Sequence, residues 1–260
     1  KTCKEPIENL VISAAGPKLG SLIKMTNQNL IIDPQSLKKK LRLKNCFLLN
    51  DLEAAGNYLK KIKPANKKIL KKGKKINSNQ VLIIPGTGLG LSLVLDNEKV
   101  VPSEIGNSKI LVSDLINSNS NFEISNFSRI EDFISGPGIT HIYNSIYKRD
   151  ISSREIIKHA LHKDSKALNV IKIFLEMLAK FLAEVALIYL PGNGIFLSGS
   201  FMRSLEIFID KKKFTENFLK QVDYPHKQVL ELIEINLICE EHLPIYGCIE
   251  YFNSTQKGLN

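Results

Sequence analysis

Asn50 and Asp51 follow the apolar run Cys46-Phe47-Leu48-Leu49 and open a stretch with helical patterning. A carboxylate at the C-terminal end of a buried strand, beside an amide, is placed to hold a hydroxyl group and take its proton. Asn and Asp are also the preferred helix N-caps, and taken alone the pair reads first as a cap. Further along, Gly86-Thr87-Gly88-Leu89-Gly90 sets three glycines within five residues. Glycines let backbone N–H groups approach phosphate oxygens closely, and Thr87 adds a hydroxyl donor. A simple hairpin turn needs fewer glycines, so phosphate binding is the favoured reading of the loop. Two isolated acids follow: Glu104, in Pro102-Ser103-Glu104-Ile105-Gly106-Asn107, and Glu131, ahead of Ser135-Gly136-Pro137-Gly138. Each acid alone would be a surface charge, and Ser135–Gly138 alone a helix-start turn. Together they supply a base, hydroxyl ligands and a phosphate cradle, which is the equipment for phosphoryl transfer to a hydroxyl.

These groups need a scaffold, and the chain alternates strand and helix signals. Strands are expected at Asn9–Ala15, Leu22–Met25, Asn29–Ile32 and Cys46–Leu49. Helices follow from Asp33-Pro34 to about Leu41 and over Asp51–Lys63. Alternation of this kind argues for an α/β domain. Pro64–Asn79 is lysine-rich and without strong periodicity, so it reads as an exposed connection near a domain boundary. Gln80–Pro85 and Leu91–Leu95 are strands joined through Gly86–Gly90 as a hairpin-like element. Lys99–Pro102 follows as a strand after the turn Asp96-Asn97. Because the glycines join two strands, and GxxxxGK[ST] is absent, a P-loop kinase is disfavoured. The second half is mainly helical, with candidates at Ser128–Phe133, Gly138–Tyr147, Ser153–His162, Ser165–Leu190 and Phe214–Gln221. Short strands are expected at Gly194–Leu197, leading through Ser198-Gly199-Ser200 into a helix at about Arg203, and at Ile233–Ile238. Leu243–Phe252 reads as the last helix.

Bulk properties narrow the function classes. A chain of 260 residues can bury a sizeable core in one or two domains. Apolar and charged shares of 43% and 24% are those of an ordinary globular protein. The net charge of +10 raises a nucleic-acid or anionic-surface reading. However, the lysines fall in Lys38–Lys40 and Lys60–Lys75, with no interleaved aromatics to stack on bases, so a solvated basic face is expected instead. Cys3, Cys46, Cys239 and Cys248 form no CxxC pair or zinc spacing, which fits a reducing cytoplasm and predicts no metal-ligand cluster. Cys46 is expected to be a small buried hydrophobe, and His159 and His162 surface residues. No signal peptide is seen, and no membrane partner is expected. The most apolar segment, Ala167–Leu190, carries Lys172, Glu176, Lys180 and Glu184 at intervals of four, which marks an amphipathic helix on a core.

Taken in order, these residues resemble the bacterial glucokinase family, within the actin-like, hexokinase-type ATPases. Ser13-Ala14-Ala15-Gly16-Pro17 is similar to the family's small-residue strand-turn, and Met25-Thr26-Asn27 to its M-T-N segment. Leu49-Asn50-Asp51 matches the strand ending in the substrate Asn-Asp, and Gly86–Gly90 the second phosphate motif, G-T-G-L-G. Glu131 with Ser135–Gly138 matches E-x-x-x-S-G-P-G, and Ile195–Ser200 resembles the adenosine strand-turn.

The resemblance implies a two-domain α/β fold of the actin-like (ribonuclease H-like) type, hinged around a cleft. Residues 1–63 would form a small domain to which 243–260 return, and 64–242 a large one. It implies ATP-dependent phosphorylation of glucose at the 6-hydroxyl in the cytoplasm, with Asp51 as general base. Asn50, Glu104, Asn107 and Glu131 would bind the other hydroxyls; Gly86, Thr87, Gly88 and Gly90 would meet the phosphates, and Gly199 the adenosine. ATP and Mg²⁺ would be the cofactors, and since dimers occur in the family a homodimer is one possible assembly. Three departures qualify this. Asn107 stands where the family's E-G-G-H has His and Ile105 where it has Gly, which opens sugar specificity. Ser200 stands in place of a second Gly. The family's opening D-x-G-G-T is absent, so the fold is expected to be N-terminally truncated in this sequence. A non-catalytic sugar-binding or regulatory homologue, or a kinase for another hexose, are the alternatives.

Overall fold

The computed structural model describes residues 6–25, 28–96, 99–109, 127–220 and 222–257. Cys3, Thr26, Asn27, Asn97 and Gln221, each touched by the sequence reading, lie outside the described residues. The chain divides into two compact units. One comprises Lys1–Ile62, Glu98–Pro102 and His242–Asn260; the other comprises Lys63–Asn97 and Ser103–Glu241.

In the smaller unit, β1 (Asn9–Ala14) pairs in parallel with β5 (Asn45–Asn50), Ala14 opposite Asn50. Three short strands, β2 (Lys18–Leu19), β3 (Leu22–Lys24) and β4 (Ile31–Ile32), form an antiparallel meander. Ala14, Ile23 and Leu48 meet in a small core. Helix α1 (Pro34–Leu41) starts as its sequence dictates: Asp33 accepts from the Gln35 N–H at 2.9 Å and Pro34 fills the first turn. Helix α2 (Asp51–Asn57) grows directly from β5, and the C-terminal helix α9 (Leu243–Lys257) packs on α2 and β1.

In the larger unit, strands β6 (Lys67–Lys71), β7 (Gln80–Pro85), β8 (Leu89–Val94), β10 (Ile195–Leu197) and β11 (Ile235–Ile238) run in the order β6-β11-β10-β7-β8. β7, β10 and β11 are parallel; β6 and β8 flank them antiparallel. Strand β9 (Val100–Ser103) lies where the chain passes between units. Helices α3 (Gly136–Tyr147), α4 (Ser153–Leu161), α5 (Ser165–Tyr189), α6 (Ser200–Leu205), α7 (Lys211–Leu219) and α8 (His226–Leu232) complete it. The sheet side chains Val81, Ile83, Ile195 and Leu237 share one core with Phe174, Leu178 and Phe181 of α5. Each large side chain buried there stabilises the fold by roughly 2 kcal/mol relative to exposure. The charges on α5 keep to its outer side, with Lys172 and Glu176 3.9 Å apart. Among the described residues no helix is long and apolar enough to cross a membrane.

Five local expectations are corrected. Pro64–Asn79 is not simply a connection: Lys67–Lys71 is a strand paired with β11. Lysines mask it because a strand at the edge of a sheet tolerates charge on its outer side. Nor is that stretch a uniformly solvated basic face, since Lys68 pairs with Glu206 at 2.6 Å, Lys67 with Glu234 at 3.4 Å, and Lys71 is buried. The helix from Asp51 ends at Asn57, and Leu59–Lys61 continues only as a 3₁₀ turn. Ser128–Phe133 is no α-helix: the Asp132 carboxylate draws the N–H groups of Ser128 and Arg129 to itself, both at 2.9 Å, leaving a 3₁₀ turn at Ile130–Asp132. Cys46 is half-buried rather than a core residue.

Lys71 carries a pH prediction. Its Nζ donates to the carbonyls of Lys72, Glu231 and Ile233 at 3.1, 2.9 and 2.8 Å, and lies 5.5 Å from the Phe218 ring centroid. Burial pushes its ammonium down to about 8, against the opposing pull of Glu231 and Glu234. An unfolded lysine holds its proton to about 10.4, so between these values the unfolded chain binds more protons and folding stability rises with pH. The urea midpoint of the native protein should therefore climb from pH 8 to pH 10 relative to that of Lys71→Met. Parallel pH profiles for the two proteins would contradict this.

Candidate active site

The Asn50-Asp51 pair sits at the junction of β5 and α2. Asn50 is the N-cap: its Oδ1 accepts from Leu52 N–H at 2.9 Å and more weakly from Glu53 N–H at 3.4 Å, while Glu53 Oε2 accepts from the Asn50 N–H at 3.1 Å. This reciprocal box fixes the first turn of α2. The Asn50 amide also donates to the Gly16 carbonyl at 2.9 Å, which ties the helix start to the turn after β1. At 8% exposure, Asn50 is thus a buried anchor. Asp51, half-buried as the first helical residue, accepts from Leu52 N–H at 3.0 Å. The end of a helix where N–H groups point outward favours a negative charge there.

In the larger unit the remaining residues gather around the β7–β8 hairpin. The turn closes with Gly86 N–H donating to Gly88 O at 2.8 Å, and Pro85 faces Leu89. Thus Gly86–Gly88 makes the turn while Gly90 already belongs to β8. Gly136 N–H donates to Gly86 O at 2.8 Å, pinning the turn to the start of α3. That start is capped by Ser135, whose hydroxyl accepts from Gly138 N–H at 2.9 Å and donates to Glu131 O at 2.6 Å. Glu131 Oε2 accepts a long bond, 3.4 Å, from Leu89 N–H. A Cβ on Gly88 would stand 2.7 Å from that same oxygen, so the glycine is what lets the acid lie on the turn. Among the described residues the N–H groups of Thr87 and Gly88 find no protein partner.

Glu104 and Asn107 stand at the two ends of a 3₁₀ turn (Ile105–Asn107) and are exposed; Asn107 Nδ2 donates to Glu104 Oε2 at 3.3 Å. Arg129, which the sequence reading did not single out, joins the two segments. Its Nη1 lies 2.7 Å from Glu131 Oε1 and donates to Asn107 Oδ1 at 3.2 Å; its Nη2 donates to Asp132 Oδ1 at 3.1 Å. Burial acts to raise the Asp132 carboxyl, but the Ser128 and Arg129 backbone donors and the Arg129 guanidinium outweigh it and hold it below the usual carboxylate range. The available signal for Arg129 was its place in Arg129-Ile130-Glu131-Asp132, one 3₁₀ turn before an acid.

Gly199 ends the β10 turn with φ +101° and opens α6; a Cβ there would meet Ile84 Cγ2 at 3.1 Å. The backbone conformation is one that only glycine adopts freely. The larger unit therefore brings together Gly86–Gly90, Glu104, Asn107, Glu131 and Gly199, whereas Asn50 and Asp51 belong to the smaller one. Among the described residues no group of three or more His, Cys, Asp or Glu could hold a metal ion.

Comparison with known proteins gives this arrangement its relatives. A curated glucokinase of Agrobacterium fabrum is 23% identical over 265 residues, covering 96% of this chain and 77% of its own. The crystal structure of a glucokinase from an Antarctic psychrotroph superposes with a TM-score of 0.78 at 19% identity, over 94% of this chain and 80% of that one. A ROK-family glucokinase from Streptomyces griseus, solved with glucose and AMPPNP, gives a TM-score of 0.63 at 14% identity, over 95% and 82%. At such identities the structural likeness is one of fold, and the fold is the α/β actin-like (ribonuclease H-like) ATPase fold. The glucokinase family model matches residues 1–255, nearly the whole sequence, and the chain belongs to the glucokinase family.

Proposed function

We propose that this protein transfers the γ-phosphoryl group of ATP to the 6-hydroxyl of glucose or a closely related hexose. The observation that carries the reading is the seating of Glu131 on the glycine turn: one carboxylate lies on the loop suited to phosphate and is tied through Arg129 to Asn107, which in turn bonds Glu104. Family membership and the names of the relatives, one of them holding glucose with a nucleotide analogue, point the same way.

In this reading Asp51 accepts the proton of the attacking hydroxyl, and Glu104, Asn107 and Glu131 hold the other hydroxyls. Asn50 contributes chiefly by fixing the start of α2, since its amide is engaged by Leu52 and Gly16. The residues of the glycine turn fit a nucleotide: Thr87 and Gly88 offer unpartnered N–H groups, and beyond Gly86 there is open space. Gly199, lacking a side chain, leaves room beside Ile84 and Pro85 for the adenosine. ATP would supply the transferable phosphoryl group, and Mg²⁺ would enter with it and offset the charge of its phosphates. The protein would work in the cytoplasm, where glucose and ATP meet.

The test is a coupled assay of hexose-dependent ADP formation with Mg²⁺-ATP, run on glucose, mannose, fructose and N-acetylglucosamine. Turnover is expected with glucose. Turnover restricted to another hexose would move the specificity to that sugar. A folded, nucleotide-binding protein that turns over none of them would instead be a non-catalytic homologue.

A further inference from the structure

Asn107 and Glu131 come from segments far apart in sequence, and a single side chain holds both. Arg129 reaches Glu131 Oε1 at 2.7 Å, Asn107 Oδ1 at 3.2 Å and Asp132 Oδ1 at 3.1 Å. An amide whose oxygen is fixed by an arginine has its nitrogen fixed as well, and Asn107 Nδ2 accordingly points at Glu104 Oε2, 3.3 Å away. Glu104, Asn107, Arg129 and Glu131 thus form one continuous chain of side chains. Its far end, Glu131 Oε2, rests on the glycine turn. Asp132, braced by two backbone N–H groups and staying ionised, is the post that the guanidinium leans on.

We propose that Arg129 is the positioning residue that sets hexose recognition in this protein, orienting the Asn107 amide and the Glu131 carboxylate toward the sugar; this rests on the sugar-kinase reading above. A planar guanidinium serves three acceptors in fixed directions, which an ammonium on a flexible stem does not. Without it, Glu131 and Asp132 stand as neighbouring like charges and the Asn107 amide is free to turn over. The cluster sets three carboxylates, Glu104, Glu131 and Asp132, around one guanidinium.

The experiment compares Arg129→Met, Arg129→Lys and Asn107→Ala with the native protein, measuring kcat and KM for hexose, KM for ATP and thermal stability. For Arg129→Met the hexose KM should rise about tenfold, with kcat and the ATP KM changing less than about threefold. Arg129→Lys should recover only part of the loss. Asn107→Ala leaves the Arg129–Asp132 contact in place, so it probes the same chain should Arg129→Met not fold. It should also raise the hexose KM, and combined with Arg129→Met should add less than the sum. An unchanged hexose KM in both single variants would overturn the inference while leaving the kinase standing. Equal losses in hexose KM, ATP KM and stability would assign Arg129 a merely structural role and overturn it too. A native protein that phosphorylates no hexose would overturn the reading on which the inference rests.

Discussion

Asp51→Asn should yield a folded, ATP-binding protein that phosphorylates hexose about 10²–10⁴-fold more slowly, the size expected when a positioned general base is lost. The substitution isolates chemistry from structure. The cap of α2 is Asn50, not Asp51, and the reciprocal bonds run between Asn50 and Glu53. An asparagine at position 51 keeps the shape and can still accept from Leu52 N–H, but it cannot take a proton. Asn50→Ala should do the reverse. It removes the cap and the link to the Gly16 carbonyl, lowering stability by about 1–2 kcal/mol, with hexose turnover falling only as α2 loosens. Equal kcat in Asp51→Asn and the native protein would remove Asp51 from the mechanism. The paired measurement is kcat beside a thermal melt for each variant.

Gly247→Val, at a buried helix crossing, should strongly destabilise the smaller unit. Gly247 lies on α9 where that helix crosses α2, and a Cβ there would collide with the carbonyl oxygen of Ala54. Ala54 and Ala55 on the facing helix are fully buried, so the two backbones approach as closely as small residues permit. A valine would force the helices apart and cost about 3 kcal/mol, lowering the melting temperature on the order of 5–10 °C. Because α2 carries Asp51 on its first turn, activity should fall as well. Ser254→Ala, on the same helix, serves as the control and should melt like the native protein. An unchanged melting temperature for Gly247→Val would refute this account of how α2 is held.

Much of the framework was legible because local chemistry and tertiary placement agree. Asp33-Pro34 starts α1, Ser135 starts α3, and the apolar run before Asn50 becomes β5. The glycine-rich segment is a hairpin turn as well as a candidate phosphate loop, so the two readings of it were not exclusive. The Asn-Asp pair shows a firmer limit. The residue types that cap helices are those that bind hydroxyls, and Asn50 proves to be a cap without this deciding what its neighbour does. Strand β6 was hidden because only its pairing with β11, more than 160 residues away, overrides its charge. Helix α8 is short and lacks a side-chain cap, leaving little local signal. Arg129 was illegible for another reason. Its partners come from two separate turns, and only folding shows that Asn107 and Glu131 lie within reach of one guanidinium.

The central claim is the transfer of phosphate to the hexose 6-hydroxyl, and the most direct measurement is the identity of the product. The protein would be incubated with Mg²⁺-ATP and glucose, and the sugar product examined by phosphorus–proton correlation NMR. The account predicts a phosphorus coupled to the two protons on C6, with one ADP formed per sugar phosphorylated. Coupling to the C1 proton, or ADP formed with inorganic phosphate as the only phosphorus product, would contradict it.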